Sequence, residues 1–187
     1  QQTRVDEFLL QQEQLKKTQL LRELDSGVYY MDIGNYLMAD EKFQYVLANV
    51  KSGDHIVSVA KPYTWTQKLF NDILPRFNIT TTYIDGTAIE NFERAILPNT
   101  TLIYLESPNS WDYKLQDLKA VAELAKAENI ITIIDNSYCT PLYQKPIDYG
   151  IDLTMQTATK YIGGHSDTLG GVLSGKKEMI EKIFNSE

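Results

Sequence analysis

The chain has 187 residues, 43% of them hydrophobic, a formal net charge of −7 and one cysteine. That is apolar material for one core, and an acidic balance without a basic cluster argues against nucleic acid or an anionic membrane as partner. Cys139 alone builds no internal disulfide, which fits a reducing compartment such as the cytoplasm, and no apolar run has the length of a membrane span.

Residues 4–24 carry apolar clusters only at their ends, Val5, Phe8 and Leu9, then Leu20, Leu21 and Leu24. This predicts an amphipathic helix docking by its two ends, since a coiled coil needs a sustained heptad. Residues 25–38, rich in tyrosine and glycine, predict a short strand and a turn. Residues 40–50 predict a helix with Phe43, Val46, Leu47 and Val50 on one face. A strand over 55–60 follows, with His55 read as structural, and then Lys61-Pro62-Tyr63 at its end. A helix over 65–74 is expected to turn Trp65, Leu69, Phe70 and Ile73 inward.

Further along come a strand at 80–84, a helix at 89–96, a strand at 101–105, the turn Glu106-Ser107-Pro108-Asn109-Ser110 and a helix at 115–129. Apolar runs at 130–134 and 151–157 read as strands, and Gly170–Ser174 as an added edge strand. Strand and helix alternate with crossovers long enough for parallel pairing, so the expected fold is α/β, a three-layer α/β/α arrangement around a mainly parallel central sheet. Residues 1–50 are expected to form an N-terminal helical and linking segment packed on a core of residues 51–187. The chain starts at Gln1 and stops at Glu187 after an unfinished helix, so both ends read as cut.

The chemistry gathers between 130 and 174. In a parallel sheet the ligand crevice lies beyond the C-terminal strand ends. Asp135 ends one strand and Lys160 follows another, with the hydroxyls of Thr157 and Thr159 beside it. A lysine amine condenses with an aldehyde. A carboxylate keeps a pyridine nitrogen protonated, which makes pyridoxal phosphate an electron sink. Hydroxyls near the lysine suit the phosphate. Spacing alone also allows a solvated lysine and a helix-capping aspartate. A dinucleotide reading has no GxGxxG after the first strand, and neither His55 nor His165 has a second ligand at zinc spacing.

The residues themselves go further. Asp135-Asn136-Ser137-Tyr138-Cys139-Thr140-Pro141, Thr157-Ala158-Thr159-Lys160-Tyr161-Ile162-Gly163-Gly164-His165-Ser166-Asp167 and Gly170-Gly171 keep order and distance in a way that closely resembles the cysteine and methionine metabolism family of pyridoxal-phosphate enzymes. That family includes cystathionine γ-synthase, cystathionine lyases and methionine γ-lyase. The resemblance implies the large-domain fold of a fold-type I enzyme, with a mixed seven-stranded sheet. It implies pyridoxal 5′-phosphate as cofactor, held as an internal aldimine on Lys160. Partial burial is expected to favour the neutral amine, while a bound phosphate pulls towards the protonated form. Asp135 would face the ring nitrogen, Tyr63 would stack on the ring, and Thr157 and Thr159 would hold the phosphate. Glu106 to Ser110 resembles the family's Glu-Thr/Ser-Pro-x-Asn turn, with Asn109 read as the residue near the cofactor oxygen or substrate.

An amino-acid substrate, lyase or transferase chemistry on sulfur amino acids or O-acylhomoserine, and a homodimer or homotetramer are implied in the same way. The family's Ser-Gly-Met-type phosphate loop has no counterpart near Leu37-Met38-Ala39, and Gly34-Asn35 is the nearest substitute. A Tyr-x-Arg segment and a C-terminal domain with a carboxylate-binding arginine are also not seen. The alternative is a truncated or degenerate homologue that keeps the fold without the catalysis.

Overall fold

The structure, a computed structural model, describes residues 28–33, 50–167 and 169–184. The helices expected over 4–24 and 40–50 and the Gly34-Asn35 loop lie outside these residues. In chain order the elements are β1 (Val28–Ile33), β2 (His55–Val59), α1 (Thr64–Lys68), β3 (Thr80–Ile84), α2 (Ile89–Ala95), β4 (Thr100–Glu106), α3 (Leu118–Ala127), β5 (Ile131–Asp135), α4 (Thr140–Tyr143), β6 (Leu153–Thr157), β7 (Gly170–Gly175) and α5 (Lys177–Phe184). The seven strands form one sheet in the order β1-β7-β6-β5-β4-β2-β3. β6, β5, β4, β2 and β3 pair in parallel, and β7 is antiparallel to both its neighbours.

The expected mixed, mainly parallel sheet is therefore present, with one correction. β7 is not an edge strand, because β1 pairs along its outer side from Val28↔Gly175 to Ile33↔Gly170. β1 also brings residues 28–33 into the sheet.

Alternation along each strand sends side chains to two buried faces, as a sheet covered on both sides requires. On the first face Ile56, Leu102, Tyr104, Ile133 and Leu153 pack against Leu69, Phe70 and Leu74 after α1 and against Ile180 and Ile183 of α5. On the second, Val57, Ile103, Leu105 and Ile134 meet Phe92 of α2 and Leu118, Val121, Ala122 and Ala125 of α3. Full burial of branched and aromatic chains of this size contributes about 1.5–3 kcal/mol each.

Two helices differ in detail from their sequence patterns. The 65–74 helix is regular only to Lys68, continues as a wider turn over Leu69–Ile73 and tightens over Leu74–Phe77. Pro75 has no amide hydrogen to carry the α ladder on. Trp65 does not turn inward. Thr66, Leu69 and Phe70, spaced i, i+3 and i+4, are the buried stripe. Trp65 stays exposed under the Lys68 ammonium, 5.3 Å from its ring centroid. The 115–129 helix starts later, because the Asp117 side chain caps it by accepting from the Ala120 amide. His55 is structural as expected. It is buried at the start of β2, with Nδ1 2.7 Å from Thr100 Oγ1 and Nε2 2.8 Å from Thr82 Oγ1. Among the described residues no helix is long and apolar enough to cross a membrane.

Candidate active site

Three strand ends meet on the first face of the sheet. Glu106 lies two residues beyond Tyr104, Asp135 two beyond Ile133, and Thr157 four beyond Leu153, so all three share the face of those core residues. β4 and β5 run in register, and Glu106 is the direct partner of Asp135. Lys160 follows the end of β6, the parallel neighbour of β5. Asp135 and Lys160 therefore stand at the same end of the sheet.

Asp135 is half-buried. Its Oδ1 accepts from the Ser137 amide at 2.8 Å. Burial pushes its pKa from 3.8 up to about 6, and the nearby Glu106 adds to the rise, against the hydrogen bonds from Ser137. Ser137 Oγ in turn accepts from the Thr157 amide at 2.8 Å, which ties the end of β5 to the end of β6. Beneath the two carboxylates lies the buried Tyr104, whose hydroxyl is 3.3 Å from Thr66 Oγ1. Burial, and then the charges of Asp135 and Glu106, push this phenol well above its usual range.

Glu106 is buried, yet among the described residues neither it nor Asp135 has an ion pair. Two neighbouring carboxylates away from water with no cation between them are costly. A cationic ring N–H is the kind of group that completes such a pair, so the donor set fits a protonated pyridine.

Lys160 sits in the turn Ala158–Ile162, where its φ of −94° and ψ of −108° break the helical path. The partial burial expected of it is not found; the residue is exposed. Tyr63 precedes α1 and is 46% exposed, open to a stacking partner. Thr157 Oγ1 and Thr159 Oγ1 each lie 3.3 Å from the Gly170 carbonyl and donate to it. Their lone pairs take the Thr159 and Gly170 amides. A hydroxyl has one proton, so both must turn away from Gly170 before they donate to a phosphate.

Asn109 is placed differently from its reading. It is buried, and its amide nitrogen donates to the Ala60 and Lys61 carbonyls at 3.3 and 3.1 Å. Its Oδ1 accepts from Trp111 and Asp112. These bonds make it a clamp between two loops. In the Glu-Thr/Ser-Pro-x-Asn pattern it also stands fourth; the fifth place belongs to Ser110, whose buried hydroxyl has no partner among the described residues. Sequence reasoning also missed Ser137 and gave Glu106 only a turn-forming role. The one signal for Ser137 was its position two after Asp135, the spacing at which an Asx side chain reaches a backbone amide.

A seven-stranded α/β sheet thus carries an acid, an amine and hydroxyls at its C-terminal strand ends, a donor set that fits a cofactor-binding domain. Residues 34–186 match the model of the Cys/Met metabolism PLP-dependent enzymes, and the chain belongs to that family. It is 36% identical over 165 residues to cystathionine gamma-lyase of Bacillus subtilis, covering 88% of this chain and 43% of that protein. It is 40% identical over 136 residues to L-methionine gamma-lyase of Treponema denticola, covering 72% of this chain and 34% of that one. A crystal structure of cystathionine gamma-lyase from Lactobacillus plantarum complexed with L-serine superposes with a TM-score of 0.78 at 33% identity, over 84% of this chain and 41% of that chain. The chain thus spans less than half the length of these relatives.

Proposed function

We propose that this chain is the cofactor-binding part of a pyridoxal-phosphate-dependent lyase or transferase acting on sulfur amino acids or O-acylhomoserine. The observation that carries the reading is the pair of adjacent parallel strands, β5 ending in Asp135 and β6 leading to Lys160, with a second carboxylate beside Asp135 and no cation between. When bound, pyridoxal 5′-phosphate supplies the electron sink for breaking bonds at the amino-acid Cα and beyond.

The residues divide the work. Asp135, held by Ser137, would hold the proton of the ring nitrogen. Tyr63 would pack on the ring. Lys160 would supply the amine for the aldehyde and, once free, a base for the substrate proton. Thr157 and Thr159, turned from Gly170, would hold the phosphate. Asn109 keeps the Tyr63 loop against the turn after β4. An L-amino acid is the substrate class, in line with the L-methionine gamma-lyase and the L-serine complex named above; a homodimer or homotetramer is the assembly and the cytoplasm the location.

The test is borohydride reduction of the chain incubated with pyridoxal 5′-phosphate, followed by peptide mass analysis. The expected result is a reduced adduct on the peptide containing Lys160, lost in Lys160→Ala. A folded protein with no adduct there replaces this reading with that of a non-catalytic homologue.

A further inference from the structure

We propose that Glu106 is a positioning residue that sets Tyr63 against the acid end of β5, by tying two loops with one carboxylate. The inference rests on the reading of this site as a pyridoxal phosphate site. Glu106 is the last residue of β4 and only 3% exposed. Its Oε2 accepts from the Tyr63 amide at 2.8 Å and its Oε1 from the Ser110 amide at 2.6 Å. Those amides belong to loops that leave different strands, β2 and β4. Each bond is charge-assisted, the stronger kind of hydrogen bond.

A glutamine has one acceptor oxygen and would release one loop. An aspartate is one methylene shorter and does not span both. Only a glutamate carboxylate meets the geometry, which explains a second acid beside Asp135 despite the repulsion between them. Tyr63 is held elsewhere too. Asn109 fastens residues 60 and 61, and Gln67 Nε2 donates to the Pro62 carbonyl at 2.6 Å. Lys61, with a φ of 53°, occupies a left-handed conformation that these bonds hold in place. Because Glu106 is in register with Asp135, one side chain fixes the position of the ring-facing tyrosine relative to the ring-nitrogen acid. The two tryptophans of the chain, Trp65 and Trp111, sit just beyond Tyr63 and Ser110 and report on the two loops.

The experiment compares wild type, Glu106→Gln, Tyr63→Ala and the double variant. Amide hydrogen exchange and tryptophan fluorescence are read without cofactor, and pyridoxal 5′-phosphate affinity by absorbance titration. In Glu106→Gln the Tyr63 or Ser110 amide should exchange at least about tenfold faster while Leu105 keeps its protection. Affinity should fall about tenfold in the wild-type background and change little in Tyr63→Ala, because Glu106 acts through Tyr63. Glu106→Asp, which keeps the charge, serves if the glutamine variant does not fold, and should loosen the same amides. Equal affinity losses in both backgrounds, or exchange accelerated evenly along β4, would reduce Glu106 to a fold-stabilising residue and overturn the inference. Wild type that binds cofactor, with variants that bind equally well, sinks the inference alone. Wild type that takes up none sinks the reading of the site and the inference with it.

Discussion

Asp135→Asn should make the cofactor-free protein more stable at neutral pH. The carboxyl has a pKa of 3.8 as the unfolded reference and about 6 in the fold, raised first by burial and then by Glu106. The folded chain therefore binds a proton that the unfolded chain does not, between those two values. Stability rises as pH falls from about 6 towards 3.8, and that contribution is absent above 6. A rise of roughly two units corresponds to about 3 kcal/mol as an upper bound. Asparagine keeps an oxygen for the Ser137 amide and removes the charge that Glu106 repels. At pH 7.5 the variant should gain up to about 3 kcal/mol, or about 6–12 °C in Tm for a domain of this size. Near pH 4.5, where wild-type Asp135 is protonated in the fold, most of the gain should vanish. Urea denaturation of both proteins without cofactor at the two pH values measures this. A variant less stable than wild type at pH 7.5, or a difference equal at both, refutes the electrostatic account. The same variant should lose pyridoxal 5′-phosphate affinity, a trade of function for stability.

His55 carries the opposite pH slope. Burial lowers its pKa below 6.5, so its contribution is full above 6.5 and is lost as pH falls below it; His55→Gln, measured in the Asp135→Asn background, should flatten unfolding free energy on the acid side of 6.5. Gly175→Ala should destabilise by about 1–3 kcal/mol, because a Cβ there would meet the Asp152 carbonyl at 2.6 Å and Leu153 Cδ2 at 2.7 Å; an unchanged denaturation midpoint would count against the packing of β6 on β7. Asn109→Ala should lower stability by about 1–3 kcal/mol and speed exchange of the Trp111 amide, which donates to Asn109 Oδ1 at 2.9 Å; exchange at the wild-type rate would remove it as a clamp.

The parallel strands were legible because both their faces are buried, which leaves continuous apolar runs such as Ile130–Ile134. Asp135 and Lys160 were legible because strand ends mark the crevice. The position of β7 was not, since its outer partner lies at residues 28–33 and no local pattern encodes that pairing. Trp65 was misjudged because a wide apolar stripe admits two rotations of a short helix. Asn109 and Glu106 escaped for a common reason. Their roles are bonds to backbone amides and carbonyls of the β2 loop, which sequence spacing does not encode. The closed hydroxyls of Thr157 and Thr159 depend likewise on Gly170, in a strand that runs the other way.

That reversed strand orders events in time. Among the described residues Ile33 pairs with Gly170 and Val28 with Gly175, so during synthesis β1 waits for these partners until nearly the whole described chain has emerged. Such distant pairings are slow to close, since loop entropy is lost before any contact is gained. The sequence separations within β2 to β6 are shorter than that between β1 and β7, so contact order predicts that β2 to β6 pair before β7 enters between β6 and β1. Because Gly170 also fastens Thr157 and Thr159, their hydroxyls are engaged only once β7 lies beside β6. A nascent chain stopped short of residue 170 would hold Asp135 and Lys160 with the protons of the Thr157 and Thr159 hydroxyls not yet engaged by Gly170, so those hydroxyls close only as β7 docks.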